Sequence, residues 1–431
     1  MTDKDRKPST GLAPRRAALR LLQAVLAEGR MLSDAMPGLD ALVPADRARA
    51  QRLALTVLRN LGRADAVLSP HLAKPPPLKA RNVLRLAVVE HFHDHVPVHA
   101  AVDTGVRLMR ADRKTGRLAK LANAVLRRAV ETGAGPWAEA GPERLPGWLR
   151  KPLVAAWGKP AVLSIEAAHE AGAPLDLTLK PAAETDALAK ALGAALLATG
   201  SLRRAAGGQV SEWPGYAEGS WWIQDAAAAI PARCLGAVAG QSVLDLCAAP
   251  GGKTMQLAAA GARVTALDIS GPRMERVAEN LARTGLAAET VVADALDWAP
   301  AGAPDAILLD APCTATGTIR RHPDLPHVRK PRDIAALTDL QARLLDRAAG
   351  WLAPGGRLVY CTCSLLPAEG EDQVAAALAR HPALEQRPLD PSALGLPAEA
   401  AAPGGALRLR PDFWAEQGGM DGFYIACLVQ G

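Results

Sequence analysis

The chain is poor in cysteine, in tyrosine and phenylalanine, and in long apolar runs. Six cysteines, unevenly spaced over 431 residues, do not make the disulfide framework of a small secreted domain. The thiols are therefore expected to be reduced. No apolar stretch reaches the ~20 residues that span a bilayer. The opening "MTDKDRKPSTG" is polar, with no apolar run behind it, so no signal peptide is expected. These absences lead to the expectation of a cytoplasmic protein with no membrane partner. The shortage of Phe (3) and Tyr (3) goes with an Ala-rich composition and carries no functional implication. Two nucleotide signatures are missing as well: no glycine loop has P-loop spacing, and none has GxGxxG spacing.

At this length roughly two or three domains are expected. Charge divides the chain. Residues 1–135 hold 24 Lys+Arg against 12 Asp+Glu, net +12, and residues 136–431 hold 26 against 32, net −6. A basic part joined to an acidic one suits a polyanion-binding module that delivers substrate to a separate site. A solvated helical surface would account for the charge equally well.

Residues 1–12 read as a disordered leader. From 13 to 135 apolar residues recur at three- and four-residue spacing, as in "RRAALRLLQAVLAEG" and "GRLAKLANAVLRRAVETG", which predicts an all-helical bundle. Residues 136–239 read as a linker and a small α+β subdomain with a strand at "PLDLTLKP". From 240 to 431 apolar runs alternate with helical segments: "SVLDLC", "ARVTALDI", "ETVVA", "DAILLD" and "GRLVYCT". That alternation predicts a doubly wound, Rossmann-like parallel sheet. "LRLRPDF" and "GFYIACLV" follow without a full crossover helix, which predicts an antiparallel edge hairpin.

"VLDLCAAPGGKT" places a glycine turn between a strand and a helix. Gly251 and Gly252 let backbone approach a ligand, and the helix offers free N–H groups. Asp245 lies near the end of the first strand, Asp268 closes the second, and Asp294 follows the third. Acids on successive strand ends suit a ribose and an adenine amino group on a ligand with little negative charge. S-adenosylmethionine (SAM) fits better than NAD, whose phosphates need neutralising.

Three further stretches carry candidate chemistry. "LLDAPCTATGTIRRHPD" brings Asp310 and Cys313 to the mouth of the crevice, although Cys313 taken alone fits a packed small residue as well. Arg320, Arg321 and His322 behind it suit phosphate. "VYCTCSLLPAEG" holds Cys361 and Cys363, two apart and so on one face of the strand. Cys363 stands at the strand's end, where it reaches the crevice; Cys361 lies deeper and supports packing. Zinc needs four clustered N/S ligands, which these thiols do not supply. "HFHDH" offers His91, His93 and His95, which read as a solvated helix end more than a metal site.

Taken together, "DLCAAPGGKT", "LLDAPCTATG", "YCTCSLLPAEGE" and "DGFYIACL" resemble the RNA cytosine-5 methyltransferases of the RsmB (Fmu/Sun) type. "VPVHAAVDTGVRL" followed by "KLANAVLRRA" resembles the NusB-like RNA-binding domain that this type carries. The resemblance covers nearly the whole chain. It implies SAM-dependent methylation of a cytosine in 16S ribosomal RNA. A monomer that binds no metal is expected. It implies a SAM loop of Cys247, Ala248, Ala249, Pro250, Gly251, Gly252 and Lys253, with Asp268 on the ribose, Asp294 on the adenine side and Asp310 between cofactor and base. The family's nucleophile falls on Cys363, and its product-release thiol falls on Cys313. Arg320 and Arg321 are candidate RNA contacts. The same chemistry on tRNA, and a non-catalytic RNA-binding protein, are the competing readings. The chain departs from the family at Cys361, where Ser or Ala is common, at Tyr424, and in "PLDLTLKP", which lacks the expected Arg and Asn.

Overall fold

The computed structural model describes residues 11–181, 183–205 and 207–431. Its contacts divide into two compact units. One takes the chain up to residue 150 together with 321–330; the other takes 151–320 and 331–431. The two units divide first at 150–151, between the boundaries expected at 135 and 239. Residues 1–10 of the expected leader lie outside the described residues, and Leu12 already opens a helix.

The first unit begins with α1 (Leu12–Leu26), α2 (Leu32–Ala35), α3 (Pro44–Arg59), α4 (Leu61–Leu68), α5 (Leu78–Phe92), α6 (Val98–Arg110), α7 (Ala119–Thr132) and α8 (Ala134–Glu139). Apolar spacing decides which faces are hidden. The first helix buries Ala17, Ala18, Leu21, Leu22 and Val25 on one stripe. The fifth is buried on nearly all sides, through Val83, Leu84, Leu86, Ala87, Val88 and Val89, and forms the unit's centre. Its last turn brings Glu90 to Arg15 at 2.7 Å. His91 then bonds the Val96 carbonyl at 2.9 Å and His93 bonds Asp94 at 2.9 Å. The histidine run therefore closes a helix, with the His91 and His93 rings engaged separately.

In the second unit α9 (Gly147–Ala171), which starts just before the boundary, is broken at Gly158 (φ 80°). A four-stranded antiparallel sheet follows, built from β1 (Leu175–Leu179), β2 (Ala195–Leu196), β3 (Leu202–Arg204) and β4 (Trp221–Ile223) in the order β2-β3-β1-β4, with α10 (Thr185–Leu192) between its first two strands. Asp176 on β1 forms a buried two-pronged pair with Arg203 on β3, both contacts at 2.7 Å, and caps the Ala226 N–H. The strand that lacks Arg and Asn thus uses its polar residue structurally.

After α11 (Ile230–Cys234) comes the large sheet. Its parallel strands are β5 (Ser242–Leu246), β6 (Arg263–Asp268), β7 (Glu289–Val292), β8 (Ala306–Asp310) and β9 (Arg357–Thr362), linked by helices that include α12 (Gly252–Ala259) and α13 (Gly271–Thr284). Leu244, Leu246, Ile307 and Leu309 fill one layer, while Val243 and Leu308 fill the other. Layers on both faces explain why these strands read as continuous apolar runs.

Past β8 the chain leaves the sheet. Residues 321–330, with α14 (Leu325–Val328), belong to the helical unit: Asp324 accepts the Leu32 N–H at 2.7 Å, and Val328 packs on the helical core. The chain returns in α15 (Pro331–Trp351). After β9 it forms α16 (Glu371–Arg380), β10 (Leu384–Arg387), β11 (Leu407–Leu409) and β12 (Phe423–Gln430). The order is β10-β12-β9-β8-β5-β6-β7, with β11 paired to β12. The expected edge hairpin is therefore corrected. β11 and β12 do pair antiparallel, but β12 is an interior strand between β9 and β10, which is why "FYIACL" is buried without alternation.

Candidate active site

Every sequence-predicted acid and thiol of the second unit, apart from its glycine loop, comes to the carboxyl ends of β5 to β9. The loop leaves β5 sharply. Cys247 has φ 60° and Gly251 φ 98°. A Cβ on Gly251 would press on Val277 at 3.1 Å, so glycine satisfies both the turn and the close approach. Arg273 ties the loop to the second strand, bonding the Ala249 carbonyl and standing 3.7 Å from Asp268. Asp268 accepts the Ala249 N–H at 3.2 Å and the Ser270 N–H at 2.9 Å. Asp294 accepts the Leu296 N–H at 2.9 Å and so holds the turn after β7.

Asp245 lies fully buried beneath this loop. Thr254 donates to its Oδ2 at 2.6 Å, and its Oδ1 has no protein partner among the described residues. Burial pushes its carboxyl up to about 7, against the opposing Thr254 bond. Next to Asp268 in sequence, and opposite it on β7, Ile269 and Val292 are 69% and 57% exposed. An orphaned buried acceptor, a glycine-lined turn and an uncovered apolar edge fit a nucleoside cofactor with a cationic tail. Asp268, Asp294, the apolar pair and the loop would hold it.

The thiols meet one strand further along. Asp310 ends β8 directly opposite Cys361 on β9. Cys361 is fully buried and its thiol donates to Asp310 Oδ1 at 3.4 Å. Burial, then the Asp310 charge, push this thiol well above its ordinary range, which keeps it protonated. Cys363, past the strand's end, is half-buried and its Sγ stands 3.5 Å from that of Cys313. The bond to Cys363, then burial, push the Cys313 thiol upward too. Lys253, expected in the cofactor loop, extends its ammonium to Asp310 Oδ2 at 2.8 Å. Burial works against that charge and the Asp310 carboxylate more than offsets it. The Lys253–Asp310 pair is absent from the sequence reading; the spacing of "GGKT" gives no hint that the side chain turns toward β8.

The loop carrying Cys313 is fastened at Gly317. Its N–H donates to the Cys363 carbonyl at 2.9 Å and its own carbonyl accepts the Gly422 N–H at 2.8 Å. A side chain on Gly317 would run into the Gly422 backbone. Arg320, expected to touch RNA, ends the same loop and is corrected here. It is fully buried, bonded to Asp225, to Asp421 at 3.0 Å and to the Gly418 carbonyl at 2.7 Å. All its directions are taken up by protein, so it meets no phosphate. Arg321 begins the excursion into the helical unit.

Parallel strands closed by an antiparallel strand slotted between the last of them and an outer one, with a glycine turn after β5, define the class of SAM-dependent methyltransferases. Within that class the model of the family described as 16S rRNA methyltransferase RsmB/F matches residues 232–429, and that of the NusB family matches 12–131. Ribosomal RNA small subunit methyltransferase B of Pseudomonas syringae pv. tomato is 38% identical, over 97% of each chain. Its namesake from Klebsiella pneumoniae subsp. pneumoniae is 37% identical over 96% of this chain and 98% of that one. The solved structure of PH0851 shares the fold with a TM-score of 0.74 at 23% identity, covering 98% and 99% of the two chains. A methyltransferase homolog from Pyrococcus horikoshii superposes at 0.54 with 29% identity, over 65% of this chain and 94% of its own. The chain belongs to the RsmB/F family of 16S rRNA methyltransferases, with a NusB-type helical unit at its start.

Proposed function

We propose that this protein methylates C5 of a cytosine in 16S rRNA through a covalent adduct between Cys363 and C6 of the base. The observation that carries the reading is the 3.5 Å separation of the Cys363 and Cys313 sulfurs. SAM, bound on the loop from Cys247 to Lys253 with Asp268 and Asp294, supplies an electrophilic methyl group.

Cytosine C5 is a poor nucleophile. Addition of the Cys363 thiolate to C6 turns C5 into an enamine-like carbon able to take the methyl group. Asp310, held by Lys253, faces the base at N3 and steadies it as electron density moves. Afterwards the C5 proton leaves, the C6–S bond breaks and the thiolate departs. Cys313, next to that sulfur, serves this release. The target base must leave its stack to expose C5 and C6.

The RNA grip belongs to the helical unit. Between residues 107 and 128 lie Arg107, Arg110, Arg113, Lys114, Arg117, Lys120, Arg127 and Arg128, all exposed, with Asp112 as the one acid. This run along α6, the following turn and α7 suits RNA phosphates.

The test maps 5-methylcytosine after incubating protein, SAM and unmethylated 16S rRNA. Cys363→Ala is expected to abolish methylation and any adduct, and Cys313→Ala to accumulate a protein–RNA adduct. Adduct formation by Cys363→Ala on RNA carrying 5-fluorocytosine would move the nucleophile elsewhere.

A further inference from the structure

We propose that Glu369 is a positioning residue that sets the spacing of the two thiols. It closes the short turn Pro367–Glu369 after the strand that carries Cys363, and it is fully buried. Its Oε1 accepts the Thr314 N–H at 2.9 Å and Gln341 Nε2 at 3.2 Å. Its Oε2 accepts the hydroxyls of Thr314 and Ser364. Thr314 follows Cys313, and Ser364 follows Cys363. One carboxylate therefore grips the residue behind each thiol. The turn itself is fastened to β9, because the Glu369 carbonyl accepts the Tyr360 hydroxyl at 2.9 Å and the Thr362 hydroxyl at 3.0 Å.

The partners of this carboxylate are all neutral. Burying a carboxylate without a cation is costly, and hydrogen bonds alone must compensate. An apolar side chain would fill the same space at lower cost, but it could not hold two loops from one point. Without Glu369 the loops keep ties further from Cys313, namely the Gly317–Cys363 backbone bond and the Leu365 N–H to Thr316 hydroxyl bond at 2.9 Å, with longer hydroxyl contacts from Thr314 to Ser364 at 3.4 Å and Thr316 to Ser364 at 3.2 Å. Those leave Cys313 free to drift from Cys363. Reacting groups displaced by ~1 Å lose on the order of 10²-fold in rate.

The catalytic half of this inference rests on the two-thiol reaction proposed above; the spacing half does not. Two measurements on the full-length protein separate them. The first is capture of phenylarsine oxide, which needs two neighbouring thiols, followed by loss of free thiol, with Cys313→Ala and Cys363→Ala as one-thiol controls. The second is the ratio of covalent protein–RNA complex to turnover on cytosine RNA. Glu369→Ala is expected to capture the arsenical at least about tenfold more weakly, to turn over ~10²-fold more slowly and to build up adduct. Glu369→Gln, which keeps an acceptor for the Thr314 N–H, is expected to recover most of both. Wild-type arsenical capture and an unchanged adduct-to-turnover ratio in Glu369→Ala, whatever its melting temperature, would reduce Glu369 to ordinary packing. Failure of the wild-type protein to capture the arsenical overturns the spacing itself. If the wild-type protein forms no adduct even with 5-fluorocytosine, the covalent reaction falls and the arsenical result alone decides the role of Glu369.

Discussion

The three thiols on or just beyond β8 and β9 differ by position alone. Cys361 and Cys363 share a strand face, yet the first is sealed against Asp310 and the second lies beyond the ladder beside Cys313. Asp245 offers the sharpest test at this scale. Its carboxyl binds a proton more tightly folded, at about 7, than unfolded, at an ordinary ~4. Stability from this group is therefore complete below about pH 4 and declines as pH rises toward about 7, by up to about 1.4 kcal/mol per unit. Asp245→Asn is expected to flatten that decline in the unliganded protein. Denaturant midpoints of both proteins across the window check it; parallel curves would show that Asp245 is ionised throughout.

Secondary-structure elements differ in how openly the sequence declares them. Four of the five parallel strands were legible because covering both faces demands unbroken apolar runs, while β7 lies exposed at the sheet's edge. So were the acids at their ends, whereas the partnership of Cys363 with Cys313 is implied by the family resemblance and not by the strand pattern. β10, "LEQR", was not legible, since a short edge strand needs neither apolar residues nor alternation. Arg320 misled for a different reason. A charge in "TIRRHPD" looks the same whether it faces solvent or carboxylates, and its partners Asp225 and Asp421 are 95 and 101 residues away. Glu369 was hidden likewise among the acids of "PAEGE". The basic run over α6 and α7 makes a prediction of its own. Replacing Arg113, Lys114, Arg117 and Lys120 together by Gln is expected to weaken rRNA binding and to lower its salt slope by ~0.7–0.9 for each phosphate no longer neutralised. SAM affinity should stay unchanged. Binding titrations over a range of salt concentrations decide it, and an unaltered slope would place the RNA-binding face on another surface.

For the molecule as a whole, the excursion 321–330 matters most. The helical unit is discontinuous in sequence: it needs the Asp324 carboxylate for the Leu32 N–H and Val328 for its core. Residues 1–150 produced alone are expected to melt at a lower temperature than the same residues supplied with a 321–330 peptide. Identical melting curves would show that the segment adds nothing. The chain thus passes between its units three times, at 150–151, 320–321 and 330–331. A single protease cut at the first crossing should leave two fragments that elute together under native conditions and part only in denaturant. The helical unit thus draws on two separate stretches of sequence, one at the start of the chain and one between β8 and α15.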